Sequence, residues 1–435
     1  MRAFHYDTRC LYRTDRVHPA HAHDEIKQDS ESAMDGLISV AQAQALIERH
    51  TLFSGSETVP LALARGRVLA TTLRAERDQP PYDRVMMDGI AIRASAARAF
   101  ETLGTQQAGR PPLTLAGETD CLAAMTGAVL PTGADTVIPI ERLVATENGY
   151  RLEDDYVFHV GQFVHRRGAD CHRDDNLLEP GIRLDAPALA VLASNGAAQV
   201  EVARLPSVAI ISTGDELVPV EGPVRAWEIR RSNEHAIAGA LAARGFTCLE
   251  TLWVGDDMDA TVAVLERALA AHDVLILSGG VSMGAFDHVP AALGRLGVQR
   301  VFHKIAQRPG KPMWFGTDAQ GRRVFALPGN PVSALTCCVR YVVPSLLASL
   351  GLGPHESGMA PVTVRLDAPA DRIPTLARFV PVRVRHDASG VVRAIPAPVP
   401  TSGDFSHLAA TDGFVELPPG REPAETDMAA PFHGW

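Results

Sequence analysis

The sequence lacks the features that mark several common protein classes. Its 435 residues contain no apolar run as long as a membrane span and no segment typical of a secretory signal. The net charge of −10 provides no basic face for general nucleic-acid binding. We therefore expect a cytoplasmic protein that binds neither a membrane nor nucleic acid.

Cysteine is also scarce. The six cysteines, at positions 10, 121, 171, 248, 337 and 338, never have the spacing C-x-x-C. This disfavours both a disulfide framework and a cysteine metal cluster, and it fits a reducing compartment. The phosphate-binding sequence G-x-x-x-x-G-K-[ST] is absent too, which disfavours a Walker-type nucleotide triphosphatase.

The length and the 31 prolines predict two to four domains. Residues 1–36 are polar and include His5, His18, His21 and His23, with little periodicity. We expect a disordered N-terminal extension there, and a metal-binding tail is the alternative. Met34 is a second candidate for the start of the protein.

Residues 207–350 have the pattern of an α/β domain. Buried strands alternate with helices, which predicts sequential parallel strands. The predicted elements are a strand at Val208–Ile211, a helix at 233–244, a strand at 246–254, a helix capped by Asp259 and running to Ala271, and a strand at 273–277. Asn330 and Pro331 then begin a long apolar helix that ends near Leu350.

The flanking regions have different patterns. Residues 59–165 are rich in short alternating segments and read as a mainly β module, and short strands recur at 361–366, 378–385 and 413–417. The remaining predictions are a helix from Leu37 to His50, a strand near Thr58, a helix around Ala64–Leu69 and a helix at Ala186–Ser194.

Three tight glycine-bearing turns lie in the α/β region, at 278–284, 309–312 and 327–331. The first directly follows an apolar strand and precedes a helix, an arrangement that directs backbone N–H groups at an anion. It contributes Ser278, Gly279, Gly280, Ser282 and Gly284. The turns predict a phosphate-type pocket at the carboxyl edge of the sheet, although such glycines also form ordinary turns.

Charged residues accompany these turns. Lys304, Arg308 and Lys311 provide positive charge, unless they are simply a solvated basic edge. Asp215, Glu216, Asp256 and Asp287 follow the strand ends, where carboxylates and substrate phosphates suit Mg²⁺. Each acid alone also fits a helix cap or a turn.

Taken together and in order, the motifs resemble the molybdopterin molybdenumtransferase family (MoeA-like), which completes molybdenum cofactor assembly and is related to the C-terminal domain of gephyrin. The resemblance covers about Leu37 to Leu417. The motifs are Pro81-Tyr82-Asp83, Met87-Asp88-Gly89, Met125-Thr126-Gly127-Ala128, Gly133-Ala134-Asp135, Gly168-Ala169-Asp170, residues 212–217, Ser232-Asn233, residues 278–284, 309–312 and 327–331, and Ser406-His407.

The resemblance implies a multidomain α/β plus β protein. A central three-layer α/β domain that binds molybdopterin is joined by an inserted β-rich domain and a C-terminal β-barrel-like domain. The implied limits are 37–58 with 166–203 for a discontinuous domain I, 59–165 for domain II, 204–353 for domain III and 354–435 for domain IV. Family members are homodimers in which domain II faces domain III of the partner chain.

The resemblance also implies a reaction in which molybdate and adenylylated molybdopterin are the substrates, AMP is released and Mg²⁺ assists. It assigns catalytic roles to Glu216, Asp256, Asp287, Lys304 and Asp170, and the first three are the metal ligands. It assigns substrate or anion binding to Asp88, Thr126, Ser278, Gly279, Gly280, Ser282, Gly284, Arg308, Lys311, Pro328, Pro331 and Ser406. Molybdopterin adenylyltransferase and molybdoenzyme maturation proteins are the candidate partners.

The chain departs from the family pattern at a few positions. Arg84, Ala169 and Arg308 replace the usual Asn, Glu and Lys, and Arg230-Arg231 replace an aromatic and an acid. These changes motivate a rival hypothesis from another class, a non-catalytic molybdopterin-binding or cofactor-delivery paralogue.

Overall fold

The computed structural model describes residues 36–281, 288–397 and 401–435. The predicted N-terminal extension up to residue 35 and the site residues Ser282, Gly284 and Asp287 lie outside the described residues. The chain divides into two compact units, one formed by residues 56–203 and the other by residues up to 55 together with 204–435. Residues 36–55 thus group with 204–435, and the finer domain limits given above stay predictions.

The larger unit begins with helix α1, Val40–Arg49, close to where the sequence predicts it. Ser39 and Gln42 form a capping box, in which the Gln42 N–H donates to Ser39 Oγ and the Ser39 N–H donates to Gln42 Oε1. Arg340 Nη2 donates to Gln44 Oε1 at 2.9 Å, which fastens the helix to the α/β region.

The unit of residues 56–203 is mainly β, as predicted. The strands are β1 Ser56–Pro60, β2 Leu73–Arg74, β3 Arg84–Val85, β4 Gly89–Ile92, β5 Ala99–Gln106, β6 Asp120–Ala124, β7 Thr136–Pro139, β8 Leu143–Ala145, β9 Gly149–Leu152, β10 Val164–His165, β11 Asn176–Leu178 and β12 Gln199–Ala203. Six of them form a sheet in the order β7-β4-β6-β5-β9-β8, and the others form three two-stranded pairs, β1-β12, β2-β11 and β3-β10.

Its helices partly match the predictions. Helix α2, Ala186–Ser194, is capped by the Asp185 side chain and closes at Asn195, as expected. The predicted helix around Ala64–Leu69 is wrong, because the only helical turn nearby among the described residues is a 3₁₀ turn at Leu61–Leu63. Val68 and Leu69 instead form isolated β-bridges with Arg183 and Val202, so tertiary pairing outweighs local helix propensity there.

The α/β region is a three-layer sandwich. Its strands are β13 Val208–Thr213, β14 Leu217–Val218, β15 Ile229–Arg230, β16 Leu249–Val254, β17 Val274–Ser278, β18 Gln299–His303, β19 Gln307–Arg308, β20 Trp314–Thr317 and β21 Arg323–Leu327. Six of them form one sheet in the order β16-β13-β17-β21-β20-β18, with parallel pairing from β16 to β21 and antiparallel pairing beyond. Strands β14 and β15 pair separately.

Helices cover both faces of this sheet. They are α3 Asn233–Ala242, α4 Met258–Ala271, α5 Val289–Arg295, α6 Pro331–Cys337 and α7 Val343–Ala348, with a π-helical segment at Cys338–Val342 between the last two. Asp257 rather than Asp259 caps α4, since its Oδ1 accepts from the Ala260 N–H at 2.7 Å. Residues 331–348 are long and apolar enough to cross a membrane, but 83% of this stretch is buried inside the fold, as in a core helix.

The C-terminal region is a closed β-barrel. Its elements are α8 Pro354–Ser357, β22 Val362–Leu366, β23 Ala377–His386, β24 Val392–Pro396, α9 Phe405–Leu408, β25 Gly413–Leu417 and β26 Ala429–Gly434. The five strands pair in the order β23-β24-β22-β26-β25, and pairing of β25 with β23 closes the ring. Strand β19 of the α/β region also pairs with β23. The predicted fold class is confirmed in each of its three parts.

Candidate functional site

A cavity of about 600 Å³ opens at the carboxyl edge of the α/β sheet, and we call it the strand-end cavity. It lies where the ends of β13 and β17 meet, the edge at which open α/β sheets bind ligands. Its lining includes the predicted residues Glu216, Asp256, Ser278, Gly279, Gly280, Pro328 and Pro331. The structure therefore brings seven of the predicted site residues together.

The glycine turn has a steric role in this cavity. Gly279 has φ +102, and a Cβ there would lie 2.7 Å from Thr213 Oγ1 and 2.8 Å from Thr213 O. Only glycine fits this close approach without strain. The Gly279 N–H donates to Leu327 O at 3.1 Å, so this bond ties the turn to the end of β21, and the predicted role of Gly279 in binding an anion stays a prediction.

Two carboxylates, Glu216 and Asp256, lie on the cavity wall and are exposed. Asp215 has a structural role, because its Oδ1 accepts from the Asp256 N–H at 3.1 Å and fixes the turn that contains Asp256. The third predicted ligand, Asp287, lies outside the described residues. Within those residues, no group of three His, Cys, Asp or Glu side chains is arranged to hold a metal ion.

Asn233 joins three segments of the cavity, although the site prediction did not include it. Its Nδ2 donates to Ser278 Oγ at 2.7 Å and to Gly329 O at 2.8 Å. The first residue of α3 thereby ties the end of β17 to the 327–331 turn. The signal in the sequence was the Ser232-Asn233 motif at a helix start.

Two of the departures from the family pattern also line this cavity. Arg230 donates to the carbonyls of Pro219, Val220 and Gly222, so it holds a neighbouring loop. Arg231 Nε lies 3.8 Å from Glu234 Oε1, and the buried Glu234 accepts from Ser212 Oγ at 3.1 Å. The Arg231 guanidinium thus compensates a carboxylate buried behind the cavity.

A second cavity, of about 670 Å³, lies between the α/β region and the barrel, and we call it the basic cavity. Arg308, Lys311 and Arg378 line it, together with the hydroxyls of Ser333, Thr401 and Ser402. The pairing of β19 with β23 sets Arg308 directly beside Arg378. Its described lining contains no carboxylate, so it suits an anion.

The three glycine turns therefore serve two neighbouring cavities rather than one pocket. The turns at 279–280 and 328–331 line the strand-end cavity, whereas 309–312 lines the basic cavity. Pro312 and Ser333 line both, so the two cavities adjoin. Arg378, Thr401 and Ser402 were not predicted because they come from the barrel segment, where the sequence has no glycine-rich signal.

Buried polar groups support the wall of the basic cavity. The Tyr341 hydroxyl donates to Gln307 Oε1, and Gln307 Nε2 lies 3.4 Å from Cys337 Sγ. The Cys337 thiol in turn contacts Gly310 O at 3.7 Å. Burial raises the pKa of the Cys338 thiol to about 12, and the pKa of Cys337 also rises for the same reason. The two cysteines are packing residues, as predicted.

Two predicted residues of the larger unit, Lys304 and Ser406, line neither cavity within the described part of the chain. Lys304 adopts the left-handed backbone conformation, with φ +75, which is uncommon for a residue other than glycine. Its N–H donates to Met313 O and its carbonyl accepts from the Ile38 N–H. Ser406 lies at the start of α9, where its N–H donates to Asp404 Oδ1 at 2.9 Å.

The remaining predicted residues lie in the unit of residues 56–203. The Thr126 N–H and hydroxyl both donate to Asp88 Oδ1, at 2.7 and 2.8 Å, and these bonds hold the pKa of the Asp88 carboxyl below its usual range. Asp170 contacts His165 Nε2 at 2.9 Å. Asp88 and Thr126 therefore form one polar pair, and Asp170 belongs to a separate hydrogen-bonded group.

The fold and this pair of cavities define a multidomain α/β protein with a ligand site at the strand ends, and comparisons with known proteins identify its family. The model of the MoeA N-terminal region (domain I and II) matches residues 38–196, the probable molybdopterin binding domain matches 209–348, and the MoeA C-terminal region (domain IV) matches 363–427.

Individual relatives give the same result. A molybdopterin molybdenumtransferase from Synechocystis sp. is 38% identical over 92% of this chain and 100% of its own length, and one from Bacillus subtilis is 32% identical over 84% and 86%. Two crystal structures of the molybdopterin biosynthesis MoeA protein from Pyrococcus horikoshii also superpose on this chain, each over 92% of its length. One has a TM-score of 0.77 at 29% identity over 99% of its own chain, and the other has a TM-score of 0.76 at 25% identity over 100% of its own chain. The chain belongs to the molybdopterin molybdenumtransferase family.

Proposed function

We propose that this protein inserts molybdenum from molybdate into adenylylated molybdopterin and releases AMP, in the assembly of the molybdenum cofactor. The observation that carries the proposal is the pair of adjoining cavities with different charge. A basic cavity suits a small oxyanion, and a strand-end cavity with two carboxylates suits a metal-bound phosphoanhydride. The names of the relatives, molybdopterin molybdenumtransferase, support the transfer of molybdenum to molybdopterin.

The strand-end cavity also fits Mg²⁺. Glu216 and Asp256 are hard oxygen donors in its lining, and Mg²⁺ commonly binds one or two carboxylates while sharing substrate phosphates. These two residues would hold the ion, which when bound neutralises charge on the phosphoanhydride. Asp287 stays a predicted third ligand.

The chain's own residues would orient both substrates. Arg308, Lys311 and Arg378 would hold molybdate by charge, and the hydroxyls of Ser333 and Ser402 would donate hydrogen bonds to its oxygens. Asn233 keeps Ser278 and the 327–331 turn in place around the phosphates. Such preorganised donors lower the cost of charge development during cleavage of the phosphoanhydride.

The test is release of AMP by the purified protein. Adenylylated molybdopterin, molybdate and Mg²⁺ are incubated with it, and AMP is quantified by chromatography against reactions without protein, without molybdate and without Mg²⁺. We expect AMP only in the complete reaction. Binding of the pterin without AMP release would instead support the rival hypothesis of a cofactor-delivery paralogue.

The proposal includes a homodimer with a composite active site, to which residues 56–203 of a second copy contribute Asp88, Thr126 and Asp170. Light scattering of the purified protein would test the oligomeric state. The cytoplasmic location and the partner proteins named above also stay predictions.

A further inference from the structure

Three side chains form a hydrogen-bonded chain in the unit of residues 56–203. Arg84 Nη2 lies 2.9 Å from His165 Nδ1, and His165 Nε2 lies 2.9 Å from Asp170 Oδ1. Asp170 is a predicted catalytic residue, whereas Arg84 and His165 have no assigned role. The imidazole thus bridges a cation and a carboxylate, with one ring nitrogen for each.

The chemistry of the partners fixes where the proton lies on His165. A guanidinium has only donors, so Arg84 donates and Nδ1 must accept. A carboxylate accepts, so the opposite ring nitrogen, Nε2, donates to Asp170. The ring therefore carries a single proton, on Nε2. Arg84 selects the tautomer, as the hydrogen bond at one imidazole nitrogen generally decides the state of the other.

The backbone holds all three residues in register. Strands β3 and β10 pair antiparallel, with Arg84 directly opposite His165. The Asp170 N–H donates to Gln79 O at 2.9 Å, which fixes the main chain next to the carboxylate. Two further links fasten the same loop, because Arg166 Nη1 donates to Asp83 and Arg167 Nε donates to Asp78, at 2.6 and 2.7 Å.

The side chains of His165 and Asp170 differ in their exposure to solvent. The His165 side chain is 25% exposed, whereas the Asp170 side chain is 55% exposed. The imidazole is thus the more enclosed support, and the carboxylate remains open to a ligand. One carboxylate oxygen is held by His165, which restricts the rotation of Asp170 before any substrate binds.

We propose that Arg84 and His165 are positioning residues for Asp170, and that they act by fixing the Nε2-protonated tautomer of His165. The catalytic part of this inference rests on the proposed function, in which Asp170 contacts substrate. The tautomer does not depend on that function, since it follows from the contacts within residues 84–170 alone.

The first measurement is the ¹⁵N and ¹³C NMR spectrum of His165 in the full-length protein, assigned with a His165→Gln variant. We expect the Nε2-protonated form in the wild type. The same form should persist in Asp170→Ala, where Arg84 alone still constrains the ring, and a mixture of tautomers should appear in Arg84→Ala/Asp170→Ala. The matched control is Arg173→Ala/Asp170→Ala, which removes instead an exposed arginine paired with Asp174 and keeps the contact between Arg84 and His165. A mixture of tautomers in Asp170→Ala would overturn the inference.

The second measurement is the steady-state rate of AMP release. His165→Ala should lower kcat about tenfold with little change in KM, because the carboxylate loses its orientation while the substrate contacts remain. His165→Gln keeps a donor within reach of Asp170 and should recover most of the rate, whereas His172→Gln, in the same loop, should change nothing. Equal kcat for wild type and His165→Ala would refute the positioning role. If the wild type releases no AMP, the proposed function fails, and the NMR result still decides the tautomer.

Discussion

The strand-end cavity and the basic cavity share Pro312 and Ser333 but differ in the charges on their walls. The strand-end cavity has two carboxylates and two arginines, of which Arg230 donates to loop carbonyls and Arg231 lies beside the buried Glu234. The basic cavity has three cationic side chains and no carboxylate in its described lining, and Arg378 also pairs with Asp371 outside that lining at 3.5 Å. The strand-end cavity thus has carboxylates for a cation, whereas the basic cavity has an excess of positive charge for an anion.

This difference explains how two anionic substrates can be held next to each other. Like charges at contact distance repel strongly unless each has its own counter-charge. A metal ion on Glu216 and Asp256 would offset a phosphoanhydride, and the arginines and lysine of the basic cavity would offset molybdate. We therefore expect that a substitution in one cavity affects one substrate.

The largest effect is expected for Arg308→Glu. The change reverses a charge in the basic cavity directly beside Arg378, so molybdate should bind far more weakly. We expect kcat/KM for molybdate to fall about a hundredfold, the scale seen when one preorganised donor is lost from a polar site. The measurement is AMP release as a function of molybdate concentration.

The control for this experiment is Arg365→Glu, which reverses an exposed barrel arginine whose Nη1 donates to Asp427 O. It should leave the rate unchanged. If Arg308→Glu lowers kcat/KM equally for adenylylated molybdopterin and for molybdate, the two cavities act as one site and do not bind separate substrates.

A smaller effect, about tenfold, is expected for Asp256→Asn in the strand-end cavity. The substitution removes a hard anionic donor but keeps the size of the side chain, so higher Mg²⁺ should restore part of the rate. The dependence of AMP release on Mg²⁺ concentration measures this, with the exposed Asp259→Asn as control. If the dependence on molybdate concentration shifts and the dependence on Mg²⁺ does not, Asp256 contributes to molybdate binding and not to Mg²⁺ binding.

Much of the strand-end cavity follows from the sequence because parallel strands have their carboxyl ends at one edge. Residues 212–216 and 278–280 are separated by more than sixty positions, yet adjacent parallel strands must bring them together. Local patterning located these strands, and the glycine turns after them marked the edge.

The basic cavity was harder to predict because it depends on pairing between distant segments. Arg378 comes to Arg308 only through the β19–β23 ladder, and β19 is two residues long. Such a short strand has no periodicity to detect. The helix cap at Asp257 was missed for another reason. Asp257 directly precedes helix α4 and Asp259 lies in its first turn, so only the geometry of the cap shows which of the two caps the helix.

The smallest effect is expected for a substitution at the start of β17, the end of the strand that lies away from the cavity. Residues at this end stabilise the fold, whereas residues at the other end line the cavity. At this end Arg204 Nη1 and Nη2 donate to the two oxygens of Asp273 at 2.8 and 3.0 Å, and Ser207 donates to Oδ2 from its N–H and its hydroxyl. The hydrogen bonds and charge of Arg204, together with the hydrogen bonds from Ser207, lower the pKa of Asp273 from 3.8 to about 2, and partial burial opposes this shift.

We expect Asp273→Asn to destabilise the fold by about 1 kcal/mol at pH 7 and to leave the rate of AMP release unchanged below the unfolding temperature. The effect is this small because the Asp273 side chain is 36% exposed and solvent screens the ion pair. Because the folded-state pKa is the lower one, the stabilisation is present above pH 3.8 and is lost as the pH falls toward 2. Urea unfolding of the wild type and the variant between pH 7 and pH 2 measures the difference, which should narrow only below about pH 4. A constant difference down to pH 2 would mean that the hydrogen bonds, rather than the charge of Asp273, stabilise this end of the strand.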